Sequence, residues 1–482
     1  MTGMYKVITI FMVVSSLVEA QKLRAVNGKD VASATVSAQG DTTKIDFFQN
    51  KAVAARDGER RQYRGVNLGG WLLLESWMYP DFYKTLGIKT WLGEMQIVAA
   101  LGGKEKALPI LEKHWDTWLS KQDLLELKNG GITHIRIPIG YWILGEEFLR
   151  PGETYLPGAW PYLLRALEWC KELGLKTIVD LHGAPGVQNG HDNGGFEGGN
   201  ESIKWGEPEN QIRTTEVLVY LAKNLTIVNG TAAYEGTVQG LCLLNEPWTT
   251  SVGGPLSMQL VKNWTQETTD AVLAAGWKGD IWFPDGFNLL WEGWDGFLQP
   301  PKYKNVYADS HFYMLFDPAL WKLGALAQTN NVCQGYNTMQ LDKVKGKIAS
   351  GVVIGEYSMD FLTFPDFPYD AQTKKALQDL LLAQQQVYGV IGEASSAAVG
   401  GFFWSFKALG RVKDDLTKLK DNPHSPWSYL ALLRDGIAPK NLALASFDCN
   451  AFVAEYHDQP PPQTTQGVTT AGGPSGGGQT QA

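Results

Sequence analysis

Cysteine is scarce: four in 482 residues are too few for a disulfide-built scaffold. None is spaced with histidine as a zinc site requires, and no metal is expected. An excess of basic charge is missing too. With 42 Lys and Arg against 50 Asp and Glu, the net charge of −8 leaves no face for nucleic acid or an anionic membrane. No membrane insertion is expected, because the apolar run from Val7 to Leu17 is too short to span a bilayer. There is no Walker pattern, and Gly65 to Gly70 does not fit Gly-x-Gly-x-x-Gly. An open, doubly wound nucleotide-binding sheet therefore has no sequence support. The end of the chain carries no apolar stretch, so a lipid-anchor signal is not expected.

What the chain has in quantity is aromatic residues: 18 Trp, 18 Tyr and 19 Phe. That supplies a large core with rings left over, which suits a neutral ligand that stacks on them, such as a sugar. Lys6, the apolar run and Val18-Glu19-Ala20 read as a signal peptide over 1–20, so the mature protein is expected outside the cell. The sequons beginning at Asn200, Asn224, Asn229 and Asn263 fit a secreted glycoprotein. Residues 21–60 are polar and read as a pro-segment or as an amino-terminal wrap on the domain. Residues 456–482, with three prolines and then Gln, Thr, Gly and Ser, read as a disordered tail. Cys170 and Cys242 lie in apolar patterns and read as buried thiols. Cys333 and Cys449 sit in polar, loop-like stretches and are the favoured pair for a disulfide.

Between the ends, apolar runs alternate with helical patterns. Strand-like runs fall at 64–70, 133–140, 176–183, 241–247, 281–286, 306–313, 352–358 and 400–407. Helical stretches such as 160–173 and 371–388 lie between most of them. Strand then helix, repeated eight times, implies a parallel sheet closed into a (β/α)₈ barrel. The expectation is an α/β fold with one catalytic domain over 61–455.

In such a barrel the carboxyl-terminal strand ends carry the chemistry. Two of them end on glutamate: Leu244-Asn245-Glu246-Pro247 and Ile354-Gly355-Glu356-Tyr357. Proline cannot continue a central strand, so the fourth run stops just past Glu246. Two carboxylates at one mouth fit glycoside hydrolysis, in which one protonates the leaving oxygen and the other attacks the anomeric carbon or activates water. Glu246 is read as acid/base and Glu356 as nucleophile. With Glu356 ionised, Glu246 is expected to stay protonated until the glycosyl bond consumes the neighbouring charge. Arg136 would hold Glu356 ionised, and Tyr313 could hydrogen-bond it. Asn245 could bind the sugar 2-hydroxyl, His182 and His311 other hydroxyls, and Trp404 would form the floor. No cofactor is required.

The segments 64–72 (RGVNLGGWL), 136–142 (RIPIGYW), 180–186 (DLHGAPG), 244–247 (LNEP), 311–313 (HFY) and 354–358 (IGEYS) together resemble glycoside hydrolase family 5. They are most similar to its secreted exo-β-1,3-glucanases of fungi and related walled eukaryotes. The resemblance covers roughly 61–455 and implies a retaining enzyme. It implies acid/base and nucleophile roles for Glu246 and Glu356, and sugar contacts for Glu75, His182, Asn245, His311, Tyr313 and Trp404. On the residues alone Glu75 reads equally as a charge at a helix start. The family's entrance clamp of two phenylalanines falls on Phe316 and on His191, where the second ring is replaced by a polar one. Linkage preference is the property this departure touches. The expected ligand is a β-glucan, cut from its non-reducing end by a monomer. The alternatives are an endo-β-1,6-glucanase or a β-glucosidase of broad linkage range. A non-enzymatic reading is a wall-glucan-binding protein.

Overall fold

A computed structural model describes residues 61–458, except 90, 318–319, 321–322, 349, 360–370, 393–395 and 410–424. The expected signal peptide, the amino-terminal segment and nearly all of the expected tail lie outside the described residues. Residues 456–458, placed in that tail by composition, close a helix over Cys449–Asp458.

Eight parallel strands form a closed barrel in chain order: β1 Tyr63–Asn67, β2 His134–Gly140, β3 Lys176–Gly183, β4 Val238–Cys242, β5 Asp280–Pro284, β6 Val306–Phe312, β7 Val352–Tyr357 and β8 Ala398–Phe403. β8 returns to β1, with Tyr63 opposite Gly400, so no edge is left open. Helices follow the strands, as at Trp160–Leu173 between β2 and β3 and Ala371–Val387 between β7 and β8. The first of these buries Leu163, Leu164, Ala166, Leu167 and Cys170 and ends on Gly174 in the left-handed conformation at φ 68°. That is the usual helix stop.

The barrel interior is layered. Side chains two apart on a strand share a face, so the inward residues of β3 are Ile178, Asp180 and His182, and those of β6 are Tyr307, Asp309 and His311. Ile178 and Tyr307 join Tyr63, Cys242, Trp282, Val353, Val399 and Phe402 in a buried cluster inside the barrel. Above it the inward residues turn charged, which brings the polar groups to the carboxyl-terminal mouth. The larger core lies between barrel and helices.

β4 begins earlier than its apolar run, at Val238, and its ladder ends at Cys242. The chain stays extended beyond it: Leu243 donates to the Trp282 carbonyl at 2.9 Å and Asn245 to that of Leu181 at 3.0 Å. Cys333 and Cys449 are bridged, with Cα atoms 5.3 Å apart. Both lie on helices, Ala325–Gln334 and Cys449–Asp458, rather than in loops. Those short helices are pinned together, and the polar sequence reflects their outer faces. Cys170 and Cys242 are buried free thiols.

Candidate active site

Arg136 on β2 is fully buried at the centre of the mouth. Its Nη1 donates to Glu356 Oε1 at 2.9 Å and to Asn67 Oδ1 at 2.9 Å. Its Nη2 reaches Asp180 at 3.0 Å and Asn245 Oδ1 at 3.0 Å, with Asp309 at 3.8 Å. Burial works against its charge, but Asp180, Glu356 and Asp309 together hold its pKa well above the ordinary range. One guanidinium thus serves three carboxylates.

Glu356, at the end of β7, also accepts from the Tyr313 hydroxyl at 2.7 Å. A shift in register between β6 and β7 sets His311 opposite Glu356, the kind of bulge that re-aims side chains beside a site. Glu246 lies just past β4 with φ 45°. A left-handed glutamate costs on the order of 1 kcal/mol and persists only where its surroundings hold it. Here they do. His311 Nδ1 lies 2.7 Å from Glu246 Oε1, and Asn193 Nδ2 donates to Oε2 at 3.0 Å. One oxygen of each glutamate and a His311 ring nitrogen lie within 4.8 Å of one another. Among the described residues this trio is also the group whose spacing could hold a cation, though its members are already hydrogen-bonded within the site.

The electrostatics bear on the expected proton balance. Burial raises Glu356, and the Glu246 charge adds to it, while His311 and Arg136 oppose. Burial would raise Glu246 as well, yet the His311 bond holds it below the ordinary carboxylate value. His311 itself, despite burial, is pushed well above its usual range by Glu356 and Asp309. These directions favour a charged His311 over a protonated Glu246, and His311 sits 3.5 Å from Glu356 as well. His311, expected on a sugar hydroxyl, is held on the two glutamates.

Asn245 and His182 form one unit: Asn245 Nδ2 is 3.2 Å from His182 Nε2, and His182 Nδ1 is 2.6 Å from Asp180. His182 stacks on Trp404 at 5.4 Å and 13°. Trp404 lies flat because Gly69 leaves room; a Cβ there would stand 2.7 Å from the indole. Glu75 is buried ahead of a short turn, Ser76–Met78. It accepts from the Gly70 amide at 3.1 Å and from Trp77 Nε1 at 3.2 Å. Burial, then the charges of Asp192 and Glu356, raise its pKa well above normal. That coupling puts Glu75 within the field of Glu356, while its place ahead of Ser76–Met78 also fits the helix-start reading. His191 is half-exposed, edge-on to Trp248 at 4.8 Å and 3.7 Å from Glu197. Phe316 is 73% exposed and edge-on to Tyr313 at 5.8 Å.

Sequence reasoning missed Asn193, whose contact with Glu246 bridges 53 positions. It also gave no role to Asp180, Asp309 and Asn67, which brace Arg136 and His182. The signal for the two aspartates was their place two residues before a histidine on β3 and β6. Asp192 was missed as well; burial and Glu197 push its carboxyl up to about 7.

The family model for cellulase (glycosyl hydrolase family 5) matches residues 100–381, more than half of the chain. The chain belongs to glycosyl hydrolase family 5. That membership agrees with the paired-carboxylate chemistry for which the mouth is built. Among curated relatives, a probable glucan 1,3-beta-glucosidase A of Aspergillus terreus is 32% identical over 68% of this chain and 72% of that protein. A glucan 1,3-beta-glucosidase of Candida oleophila is 35% identical over 63% of this chain and 68% of its own. A crystal structure of rutinosidase from Aspergillus niger, 20% identical, superposes with a TM-score of 0.62 over 78% of this chain and 98% of that one, which supports the barrel fold alone. Among the described residues no helix is long and apolar enough to cross a membrane.

Proposed function

We propose that this family 5 enzyme is a retaining exo-β-1,3-glucanase that releases glucose from the non-reducing ends of β-glucan. The observation that carries the reading is the spacing of the pair. Oxygens of Glu246 and Glu356 come within 4.8 Å. Retaining enzymes set their carboxyl groups about 5–5.5 Å apart, whereas inverting ones need about 6.5–9.5 Å to admit a water. The relatives named as glucan 1,3-beta-glucosidases support the substrate.

Glu356, held by Arg136 and Tyr313, attacks the anomeric carbon from one face. Glu246 gives the leaving oxygen a proton drawn from its hydrogen bond with His311. The carboxylate charge of Glu356 is consumed in the glycosyl–enzyme bond. Glu246, now a base, then takes a proton from the water that releases the sugar. Asn245, fixed by Arg136 and His182, is placed for the 2-hydroxyl, whose bonds strengthen in the transition state. Trp404 lies under the reacting ring, and Glu75 takes outer hydroxyls of the terminal sugar. His191 and Phe316 flank the leaving unit. The leader pattern and the Cys333–Cys449 bridge support a secreted protein with one catalytic domain over 61–455.

The test compares laminarin, a β-1,3-glucan, with a β-1,6-glucan, using wild type and Glu356→Ala. Glucose released from laminarin first as the β-anomer, and lost in the variant, is the expected result. Oligomers from the β-1,6 polymer would move the specificity to the endo alternative. No turnover of either with binding intact would favour a wall-glucan-binding protein.

A further inference from the structure

Beyond the pocket, one side chain on the rim stands out. Trp91 is 58% exposed and its backbone is left-handed at φ 63°. Both features are costly for a tryptophan: a large apolar face left in water, and a conformation that its Cβ disfavours. Its place is nonetheless well defined. The ring stacks on Trp77 at 5.8 Å and 11°. Trp77 in turn donates to Glu75 at 3.2 Å and meets Trp427 edge-on at 5.1 Å. Trp427 packs against Tyr313, which bonds Glu356. The next residues are tied down on both sides. Leu92 donates to Ser76 Oγ at 3.3 Å, and Gln96 donates to the Glu197 carbonyl at 2.9 Å, on the loop that carries Asp192 and Asn193.

Chance exposure would scatter such rings over the surface. Among the described residues the exposed large apolar side chains that are aromatic are Trp91 and Phe316; the others are aliphatic. Phe316 touches Tyr313, and Trp91 reaches Glu75 through Trp77. Both exposed rings therefore connect to site residues, along one chain of rings through Trp77, Trp427 and Tyr313.

We propose that Trp91 is a sugar-stacking platform, a binding subsite that holds a pyranose ring of a β-glucan chain outside the pocket where the bond is cut. A β-linked glucopyranose presents an apolar face of axial C–H groups, and a rigid indole already braced from behind loses little freedom on covering it. This rests on the β-glucan reading above. Trp91 meets Glu75 by way of Trp77, so a small aryl β-glucoside, set against the long polymer, separates the platform from the reaction centre by substrate length.

The experiment measures kcat and KM on laminarin and on an aryl β-glucoside for wild type, Trp91→Ala and Trp91→Phe. It adds depletion of the Glu356→Gln and Glu356→Gln/Trp91→Ala proteins by insoluble β-1,3-glucan, and sedimentation velocity. Trp91→Ala is expected to raise KM for laminarin roughly five- to tenfold, the scale of one aromatic contact. The aryl β-glucoside should be unchanged within about twofold on the same scale. Trp91→Phe should recover part of the laminarin loss, and binding in the Glu356→Gln background should fall with Trp91→Ala. Equal losses on both substrates would reduce Trp91 to a prop for Glu75 and overturn the proposal. Unchanged laminarin KM and unchanged polymer binding would overturn it too, as would a wild-type dimer that Trp91→Ala converts to a monomer with polymer binding intact. If wild type cleaves neither substrate, the function reading fails while the depletion assay still decides Trp91.

Discussion

Among the described residues two arginines neutralise buried carboxylates inside this barrel, one at each end, and they do so in different proportions. At the amino-terminal end Arg61 pairs with Asp280 at 2.9 Å, and Asp280 also accepts from Tyr63 at 2.7 Å and Gln239 at 2.9 Å. One cation, one phenol and one amide serve one acid. At the carboxyl-terminal end Arg136 is the one arginine against Asp180, Glu356 and Asp309, with Tyr313 also on Glu356 and His182 on Asp180. The first arrangement is matched and closes the barrel floor. The second is short of fixed positive charge, and the balance has to come from a proton. His311, between Glu246 and Glu356, is the group whose pKa they raise. Stability chemistry and reaction chemistry thus differ here in how the charges are counted, with the same residue types at both ends.

Breaking each end should give opposite signatures. Glu356→Ala removes the proposed nucleophile and is expected to lower kcat by at least ~10⁴-fold, as loss of a covalent catalyst does elsewhere. Its melting temperature should stay near that of wild type, because a carboxylate that burial disfavours has been deleted. Asp280→Ala should do the reverse: a loss of about 3 kcal/mol in urea unfolding, from stranding Arg61 and Tyr63, with kcat on an aryl glucoside within about twofold. If Asp280→Ala cripples turnover while leaving stability intact, the division between the two ends is wrong.

Finer changes sharpen the contrast. His311→Gln keeps a donor near Glu246 but removes the proton store. A roughly 10²-fold fall in kcat/KM is expected, with the alkaline limb of the pH profile moved to lower pH. Tyr313→Phe deletes one bond to Glu356 and should cost about tenfold in kcat. Another buried acid, Glu94, has no arginine against it among the described residues. It accepts from the Leu74 amide at 3.3 Å, and burial pushes its pKa up to about 8. Its folded value lies above the unfolded one, so the folded state binds the extra proton. That contribution to stability is complete at acid pH and is lost as the pH rises to about 8. Glu94→Gln should flatten the fall in melting temperature across that window, by about a few degrees. A melting curve whose pH dependence is the same in wild type and variant would contradict this.

The barrel was legible because most of the strands lie in apolar runs that end on polar residues, and β2, β3 and β7 end within a residue or so of where those runs stop. Glu246, Glu356, Arg136 and Tyr313 were legible because strand-end position alone brings them to one mouth. The start of β4 was not, since Val238-Gln239-Gly240 carries no apolar run; its place is set by pairing with β3 and β5. Asn193 escaped because a loop contact across the mouth has no periodicity to betray it. The proton on His311 escaped for a related reason: it depends on a 2.7 Å contact and on how many carboxylates share Arg136. Sequence spacing encodes neither quantity.

In the proposed mechanism Glu356 bonds to the sugar while Glu246 and His311 manage the proton. Incubation with a 2-deoxy-2-fluoro-β-glucosyl fluoride, which forms the glycosyl–enzyme bond quickly and loses it slowly, followed by peptide mass spectrometry, tests it most directly. One added fluoroglucosyl group is expected on the peptide that carries Glu356, and none in Glu356→Ala. An adduct on another residue, or hydrolysis that yields the α-anomer first with no adduct, would contradict it.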